Sequence, residues 1–230
     1  MAAVTAGAGL LSIPALIFLG LPANEAIATN ALAIFGMLAS ALPKYQKAKQ
    51  IRWDTARKLI PLAILGGFIG AKALVRIDVN ALSVAVGVLL LLMVPVVLLN
   101  SDKGLKTFQA GDKRVVLGYL VYLLTMVYGG FLGAGAGVFA MYTLVFFFGM
   151  TYMQAKATIS VPSVFLAATA FMVFVGHGLV NWKLGVPMTI GMYIGGAWGA
   201  KTALEKGNAW VRIIFVVVVV ASSVKLLFFR

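Results

Sequence analysis

Five glycines fall within nine residues in the stretch GGFLGAGAG, from Gly129 to Gly137, and a shorter copy, Gly7-Ala8-Gly9, lies near the N-terminus. Glycine weakens a helix and lets other groups come close to the backbone. A run of exposed backbone N–H groups that leads into a helix N-terminus is suited to binding an anion. Close helix packing is the alternative explanation, but five glycines exceed what packing requires. We expect an anion to contact Gly7, Gly9, Gly133, Gly135 and Gly137.

Uncharged polar residues follow an Ala-x-Ala motif at two places in the chain. Thr29 and Asn30 follow the first motif, Ala26-Ile27-Ala28, and Thr158 and Ser160 follow the second, Ala155-Lys156-Ala157. Hydroxyl and amide groups can donate hydrogen bonds to an oxyanion without the cost of burying a full charge. Hydrogen bonding between helices, worth about 0.6 kcal/mol per pair, is an equally good explanation. We add these four residues to the candidate binding site.

Two lysines, Lys72 and Lys201, each end a Gly-Gly-x-x-Gly-Ala-Lys sequence. Both lie near the end of an apolar run, where a lysine can extend its ammonium group to the membrane surface. Their matched placement favours a positive potential beside an anion path, so we include both in the candidate site. Lys156 has no such match, because Ile27 occupies the corresponding position, and we expect it to anchor its helix at the interface.

The composition is that of a polytopic membrane protein. The 230 residues are 62% hydrophobic and 11% charged, with a mean hydropathy of +1.03, whereas a soluble domain carries about 25% charged residues. The net charge of +13 comes from lysines and arginines in short loops, as the positive-inside rule predicts, so no nucleic-acid partner is needed. With no cysteine, carboxylate run, phosphate loop or metal-ligand cluster, we expect no cofactor, no bound metal and no enzymatic activity.

Apolar runs separated by polar or turn-forming segments predict an all-α fold of about 7–8 transmembrane helices. The run from Val115 to Phe148 is much longer than the roughly 20 residues that a helix needs to cross a bilayer. We expect it to break at its glycines, because loosened backbone is tolerated in a membrane where it lines a cavity. The eight runs are 2–19, 26–42, 59–75, 81–99, 115–148, 155–175, 184–203 and 210–229.

An internal repeat is visible at an offset of 129 residues. Gly66–Lys72 matches Gly195–Lys201, and Trp53 matches Trp182. Several matches at one offset indicate duplication. They predict two homologous four-helix repeats, 1–100 and 115–230, joined by a cytoplasmic linker, 101–114. The second repeat has about 20 residues before its glycines and the first has six, so the first helix is shortened, and we expect Met1 to be a late start.

The basic segment Pro43–Lys58 carries six lysines and arginines against Asp54 alone, and we place it in the cytoplasm. If each repeat crosses the membrane four times, the two halves are parallel, and we expect this arrangement. If the glycine stretch instead forms a re-entrant hairpin, each repeat crosses an odd number of times and the halves are inverted.

The order of these motifs resembles the sulfite exporter TauE/SafE family. The resemblance begins with the glycine loop and the Pro-containing helix that ends Leu19-Gly20-Leu21-Pro22, continues through Glu25–Asn30, and repeats in the second half. It implies an eight-helix, multi-pass permease of the prokaryotic plasma membrane that moves sulfite, sulfonates or related anions. The chain differs from the family pattern at Asn30 and Ile159, where such sequences usually show Ala-Thr-Ser, and this leaves the substrate open.

The residues and the resemblance together predict a permease for small anions such as sulfite or organosulfonates, with the anion and the lipid bilayer as its partners. An interior-negative potential favours anion exit, so export needs no coupling ion. A membrane scaffold that transports nothing and an uptake permease for organic carboxylates are the alternatives. A cation channel would require acidic rings that the sequence lacks. No oligomeric state follows from these patterns.

Overall fold

A computed structural model describes residues 9–77, 111–202 and 204–205. Within these ranges the chain forms seven helices, and four of them, α2, α3, α4 and α6, are long and apolar enough to cross a membrane. The predicted all-helical, polytopic class is confirmed, whereas Gly7 and the runs at 81–99 and 210–229 lie outside the described residues. The helices are α1 (Gly9–Phe18), α2 (Ala23–Lys47), α3 (Trp53–Val75), α4 (Asp112–Phe131), α5 (Ala136–Phe148), α6 (Tyr152–Gly176) and α7 (182–202).

Local sequence explains where several helices begin and end. Helix α6 begins with a capping box, in which the Thr151 hydroxyl accepts a hydrogen bond from the Gln154 N–H and the Gln154 side chain accepts one from the Thr151 N–H, both at 3.3 Å. Helix α5 is bounded by two glycines in the left-handed region, Gly135 at φ 75° and Gly149 at φ 64°. Residues with a Cβ rarely adopt that conformation, so these glycines fix both ends of α5.

The long apolar run breaks at its glycines, as predicted. Helix α4 ends at Phe131 and α5 begins at Ala136. The rings of Tyr119, near the start of α4, and Phe148, at the end of α5, pack edge to face with centroids 5.1 Å apart. Helices α4 and α5 therefore form an antiparallel hairpin. With 13 residues, α5 is shorter than the roughly 20 that a membrane crossing needs.

The glycines of α3 let α4 pack directly against it. A Cβ at Gly66 would lie 2.5 Å from the Met126 Cβ, and a Cβ at Gly70 would overlap the Val127 carbonyl oxygen. Close approach through small-xxx-small spacing stabilises helix pairs in lipid, where dispersion contacts replace the hydrophobic effect. Gly66 and Gly70 therefore serve helix packing.

Helices α2 and α6 run antiparallel across the centre of the described fold. The start of α2 packs near the end of α6, where Ile27 shares a cluster with Ala170 and Phe174. The end of α2 packs near the start of α6, where Tyr45 shares a cluster with Ala157. Because these two helices are equivalent in the predicted repeat, their opposite directions favour inverted halves over the parallel halves that we expected.

Two matched hydrogen bonds connect the ends of these helices to the opposite half of the chain. The Thr158 hydroxyl accepts a hydrogen bond from the N–H of Arg52, the residue before α3, at 3.1 Å. The Thr29 hydroxyl accepts one from the N–H of Asn181, the residue before α7, at 3.0 Å. The two threonines, like the two donors, are 129 positions apart. This pattern supports the duplication, but the duplication and the boundaries of the two repeats stay predictions. Of the proposed linker, 101–114, the structure describes residues 111–114, and α4 already begins there, at Asp112.

Replacing Gly70 with alanine should loosen the α3–α4 contact, because the new Cβ would overlap the backbone of α4. We expect G70A to destabilise the protein by roughly 1–3 kcal/mol, the usual cost of overpacking. Thermal unfolding of the detergent-solubilised protein measures the effect. G191A is the matched control, because no atom of the described residues lies within 4 Å of a Cβ there. Equal melting temperatures for both variants would contradict the packing.

Replacing Thr158 with valine should leave the Arg52 N–H without its acceptor, at a cost of about 1–3 kcal/mol. We expect faster hydrogen exchange at the Arg52 amide. T143V is the control, since Thr143 is also buried but donates its hydrogen bond to a carbonyl of its own helix, that of Phe139. Unchanged exchange at Arg52 in T158V would show that the bond does not hold the start of α3.

Candidate functional site

A cavity of about 100 Å³ lies between α2, α6 and the turn that joins α4 to α5. It is large enough for several water molecules or one small solute. Helix α2 lines it with Ile27, Asn30, Ala31, Ile34, Met37, Leu38, Ala41 and Tyr45. Helix α6 lines it with Lys156, Ile159, Ser160, Ser163, Leu166, Ala167, Ala170 and Phe174.

The two sets of lining residues correspond one to one. Each residue of the α6 set follows a residue of the α2 set by 129 positions, so Ile27 corresponds to Lys156 and Tyr45 to Phe174. The cavity therefore has two walls built from equivalent positions of the predicted repeats. Most pairs are apolar or small on both sides, and the pair Ile27 and Lys156 differs most in chemistry.

The turn between α4 and α5 supplies loosened backbone beside the cavity. Gly133 and Gly135 adopt left-handed φ values of 71° and 75°, and the Tyr128 hydroxyl donates to the Ala134 carbonyl to hold the turn. Within the described residues, no backbone acceptor meets the N–H groups of Gly133, Ala134 and Gly135. Gly133 lines the cavity, as do Ala136 and Gly137 at the N-terminus of α5, so this side of the cavity carries a partial positive charge.

The start of α1 contacts this turn directly. A Cβ at Gly9 would lie 3.1 Å from the Ala134 Cα, and the Gly9 backbone also lines the cavity. Gly9 of the first glycine stretch therefore meets the glycine turn of the second, and each of these stretches lies near the start of a predicted repeat.

Lys156 is the one charged side chain that is buried among the described residues, with 8% of its surface exposed. It lines the cavity, and no described carboxylate lies within ion-pair distance of it. A buried ammonium group without a counter-ion is costly in a medium of low dielectric constant, so an anion in the cavity would be attracted to it. The expectation that Lys156 anchors at the membrane interface is wrong.

Of the residues that the sequence predicted to bind an anion, five line the cavity: Gly9, Asn30, Gly133, Gly137 and Ser160. The Asn30 side-chain oxygen accepts a hydrogen bond from the Ser12 hydroxyl, and the Ser160 hydroxyl donates to the Lys156 carbonyl at 2.9 Å. Gly135 begins α5 beside the cavity without lining it. Contact of these residues with a substrate remains a prediction.

Thr29 and Thr158 are fully buried and do not line the cavity. Their hydroxyls accept hydrogen bonds from Asn181 and Arg52. The explanation that they bond between helices, which we weighed equally with substrate binding, accounts for these contacts.

Lys72 and Lys201 lie on the outside of the described fold. The Lys72 ammonium group is 4.6 Å from the centroid of the Phe68 ring. The Lys201 ammonium group lies 3.8 Å from the Glu205 carboxylate, and both of those side chains are more than half exposed. Neither lysine lines the cavity, so their location agrees with extension to the membrane surface.

The sequence contained a signal for Lys156 that the repeat comparison obscured. Lys156, Ser160 and Ser163 follow one another at helical spacing of four and three residues, so they form a polar stripe on one face of α6. The equivalent position of the first half holds the apolar residue Ile27, and this difference between the halves marks Lys156 as a residue with a role of its own.

Comparison with known proteins agrees with this architecture. The family model described as Sulfite exporter TauE/SafE matches residues 1–226. The chain is 26% identical over 226 residues to a "Probable membrane transporter protein" of Haemophilus influenzae, covering 98% of this chain and 89% of that protein.

Two further relatives carry similar names. One is the "Probable membrane transporter protein YfcA" of Escherichia coli K12, at 26% identity over 98% of this chain and 84% of the relative. The other is the "Probable membrane transporter protein ORF9" of a Sinorhizobium species, at 27% identity over 97% of this chain and 86% of the relative. No solved structure matches the chain. The family match spans nearly the whole sequence, and the chain therefore belongs to the sulfite exporter TauE/SafE family of membrane transporters.

Proposed function

We propose that this transporter is a permease for small anions, of the sulfite or organosulfonate type, and that the cavity between α2 and α6 is its substrate site. The observation that carries the proposal is the buried ammonium group of Lys156, which faces the cavity without a carboxylate partner in the described residues. A neutral or cationic solute would leave that charge uncompensated, whereas an anion would neutralise it.

The glycine turn supports the same choice of solute. The glycine turn and the N-terminus of α5 line the cavity through Gly133, Ala136 and Gly137, and their N–H groups carry partial positive charge. Asn30 adds an amide group that can donate to an oxyanion, whereas the Ser160 hydroxyl already donates to the Lys156 carbonyl. The substrate would thus be held by one full charge and several dipoles.

The inverted directions of α2 and α6 support transport rather than a scaffold role. Transporters built from inverted repeats place the substrate at the repeat interface near mid-membrane, beside discontinuous helices. The cavity has equivalent walls from α2 and α6 and lies next to the break between α4 and α5. A scaffold that only packs would need neither the break nor the buried charge.

We propose export from the cytoplasm as the direction of transport, in the plasma membrane of a prokaryotic cell. The basic segment Pro43–Lys58, placed inside by its charge, joins α2 to α3 at the same end of α2 where Lys156 lies. A cytoplasmic anion would therefore meet a positive potential on its way into the cavity. Once bound, it would be driven outward by an interior-negative membrane potential.

Filling the cavity should stop transport. Ser163 lines the cavity, and S163F should abolish sulfite efflux from proteoliposomes because the larger ring occupies the substrate space. F165L is the control, since Phe165 is exposed on the same helix and does not line the cavity. A panel of sulfite, sulfate, taurine and acetate measures the substrate range. Absence of flux for every anion would favour the scaffold, and flux of acetate alone would favour the carboxylate permease.

Uncoupled export should respond to membrane potential. An inside-negative potential of 100 mV supplies about 2.3 kcal/mol per charge, equivalent to about a 50-fold concentration ratio for a monovalent anion. We expect a potassium diffusion potential of that sign to drive net sulfite out of proteoliposomes against a gradient. Efflux that requires a proton or sodium gradient and ignores the potential would contradict the uncoupled mechanism.

A further inference from the structure

The residues of the two cavity walls, α2 and α6, occupy equivalent positions, but the two walls differ in charge. Lys156 contributes an ammonium group from α6, and the equivalent residue of α2, Ile27, contributes a hydrocarbon side chain. The acids that the structure describes, Glu25, Asp54, Asp112 and Glu205, do not line the cavity. Apart from the phenol of Tyr45, the lining therefore holds one ionisable side chain in the described residues, and it is basic.

The two lining positions lie toward opposite ends of the cavity, because α2 and α6 are antiparallel. Ile27 lies with Phe174 and Val180 in an apolar cluster. Lys156 lies at the other end, next to Ala157 of the cluster that contains Tyr45 and Ile51. The N–H of Arg52 bonds to Thr158, two residues from Lys156, so the basic segment Pro43–Lys58 approaches this end of the cavity.

We propose that Lys156 is the charge-selective residue of the site: it limits tight binding to solutes with one negative charge and holds the charged group at the end of the cavity beside Pro43–Lys58. The inference rests on the proposed anion permease and adds the valence of its substrate and the place where the charged group binds.

The physical reason is charge balance in a medium of low dielectric constant. A monoanion beside Lys156 forms a neutral pair, and the Asn30 amide and the N–H groups of the glycine turn can donate to its remaining lone pairs. A dianion brings a second charge that no other cation in the described lining compensates. A neutral solute of the same shape leaves Lys156 unpaired.

Three probes of similar size separate these cases: methanesulfonate, which is a monoanion; sulfate, which is a dianion; and dimethyl sulfone, which is neutral. We expect the purified, full-length protein to bind methanesulfonate at least about tenfold more tightly than sulfate or dimethyl sulfone. In both of those complexes one charge stays uncompensated, which should weaken binding by at least about tenfold. Isothermal titration calorimetry measures each affinity.

Variant K156M should bind methanesulfonate about 30-fold more weakly or worse, because removal of one partner of a buried charge pair leaves the other charge without compensation. K183M is the control. Lys183 is exposed at the start of α7 and does not line the cavity, so its loss changes the net charge equally without touching the site. Size-exclusion profiles establish that both variants are folded.

The double variant I27K/K156I moves the ammonium group to the equivalent position of the other wall. Because the walls correspond, we expect it to regain methanesulfonate binding relative to K156I while sulfate binding stays weak. Should the exchanged lysine prevent folding, the comparison of K156M with K183M decides the matter.

The outcomes distinguish the two proposals. If no anion binds or crosses proteoliposomes in the wild type, the permease itself is wrong. If sulfite flux is present, but K156M binds methanesulfonate within about threefold of K183M, or sulfate binds as tightly as methanesulfonate, the permease stands and the role of Lys156 is overturned.

Discussion

The cost of leaving polar groups unsatisfied inside a membrane controls this structure. A helix satisfies its backbone groups with hydrogen bonds of its own, but the helical hydrogen bonding is interrupted between Phe131, where α4 ends, and Ala136, where α5 begins. The freed N–H and C=O groups cannot face lipid, so they must be enclosed by protein or face a polar space. Gly9 packs against the turn, and the carbonyls of the turn accept hydrogen bonds from the Tyr128 hydroxyl and from backbone N–H groups of α5. The N–H groups of the turn, which meet no backbone acceptor in the described residues, lie beside the cavity that Gly133 lines.

Close packing between helices makes that enclosure possible. Gly66 and Gly70 bring α3 into backbone contact with α4, so that the broken helix is held by a continuous one. A second pair of glycines packs on the cavity helices, because Gly196 of α7 packs on Met37 of α2 as Gly67 of α3 packs on Leu166 of α6. Leu166 and Met37 are themselves at equivalent positions and both line the cavity. The glycines thus set how near the third helix of each predicted repeat comes to the cavity wall.

Sequence reasoning succeeded where a local pattern fixes the chemistry. Apolar run length predicted the long helices, and the glycine density predicted the break, since both depend on the residues concerned and little else. It failed where the outcome depends on which helices become neighbours. The Thr29 hydroxyl accepts a hydrogen bond from a backbone N–H because the fold places Asn181 beside it. Arg52 lies beside Thr158 in the same way, and neither neighbour can be read from the local sequence. Likewise, a lysine near the end of an apolar run is exposed or buried according to its packing, so Lys72 and Lys156 could not be told apart by position.

The hydrogen bond between Arg52 and Thr158 has a consequence for how the protein is made. Its two partners are 106 positions apart, so at about 5–20 residues per second the ribosome needs at least several seconds to synthesise the chain between them. During that interval the Arg52 N–H, at the start of α3, lacks the acceptor that it has in the folded protein. The first half of the chain thus stays incompletely packed until the second half has been synthesised. For those seconds, assembly factors or neighbouring lipids can stabilise it.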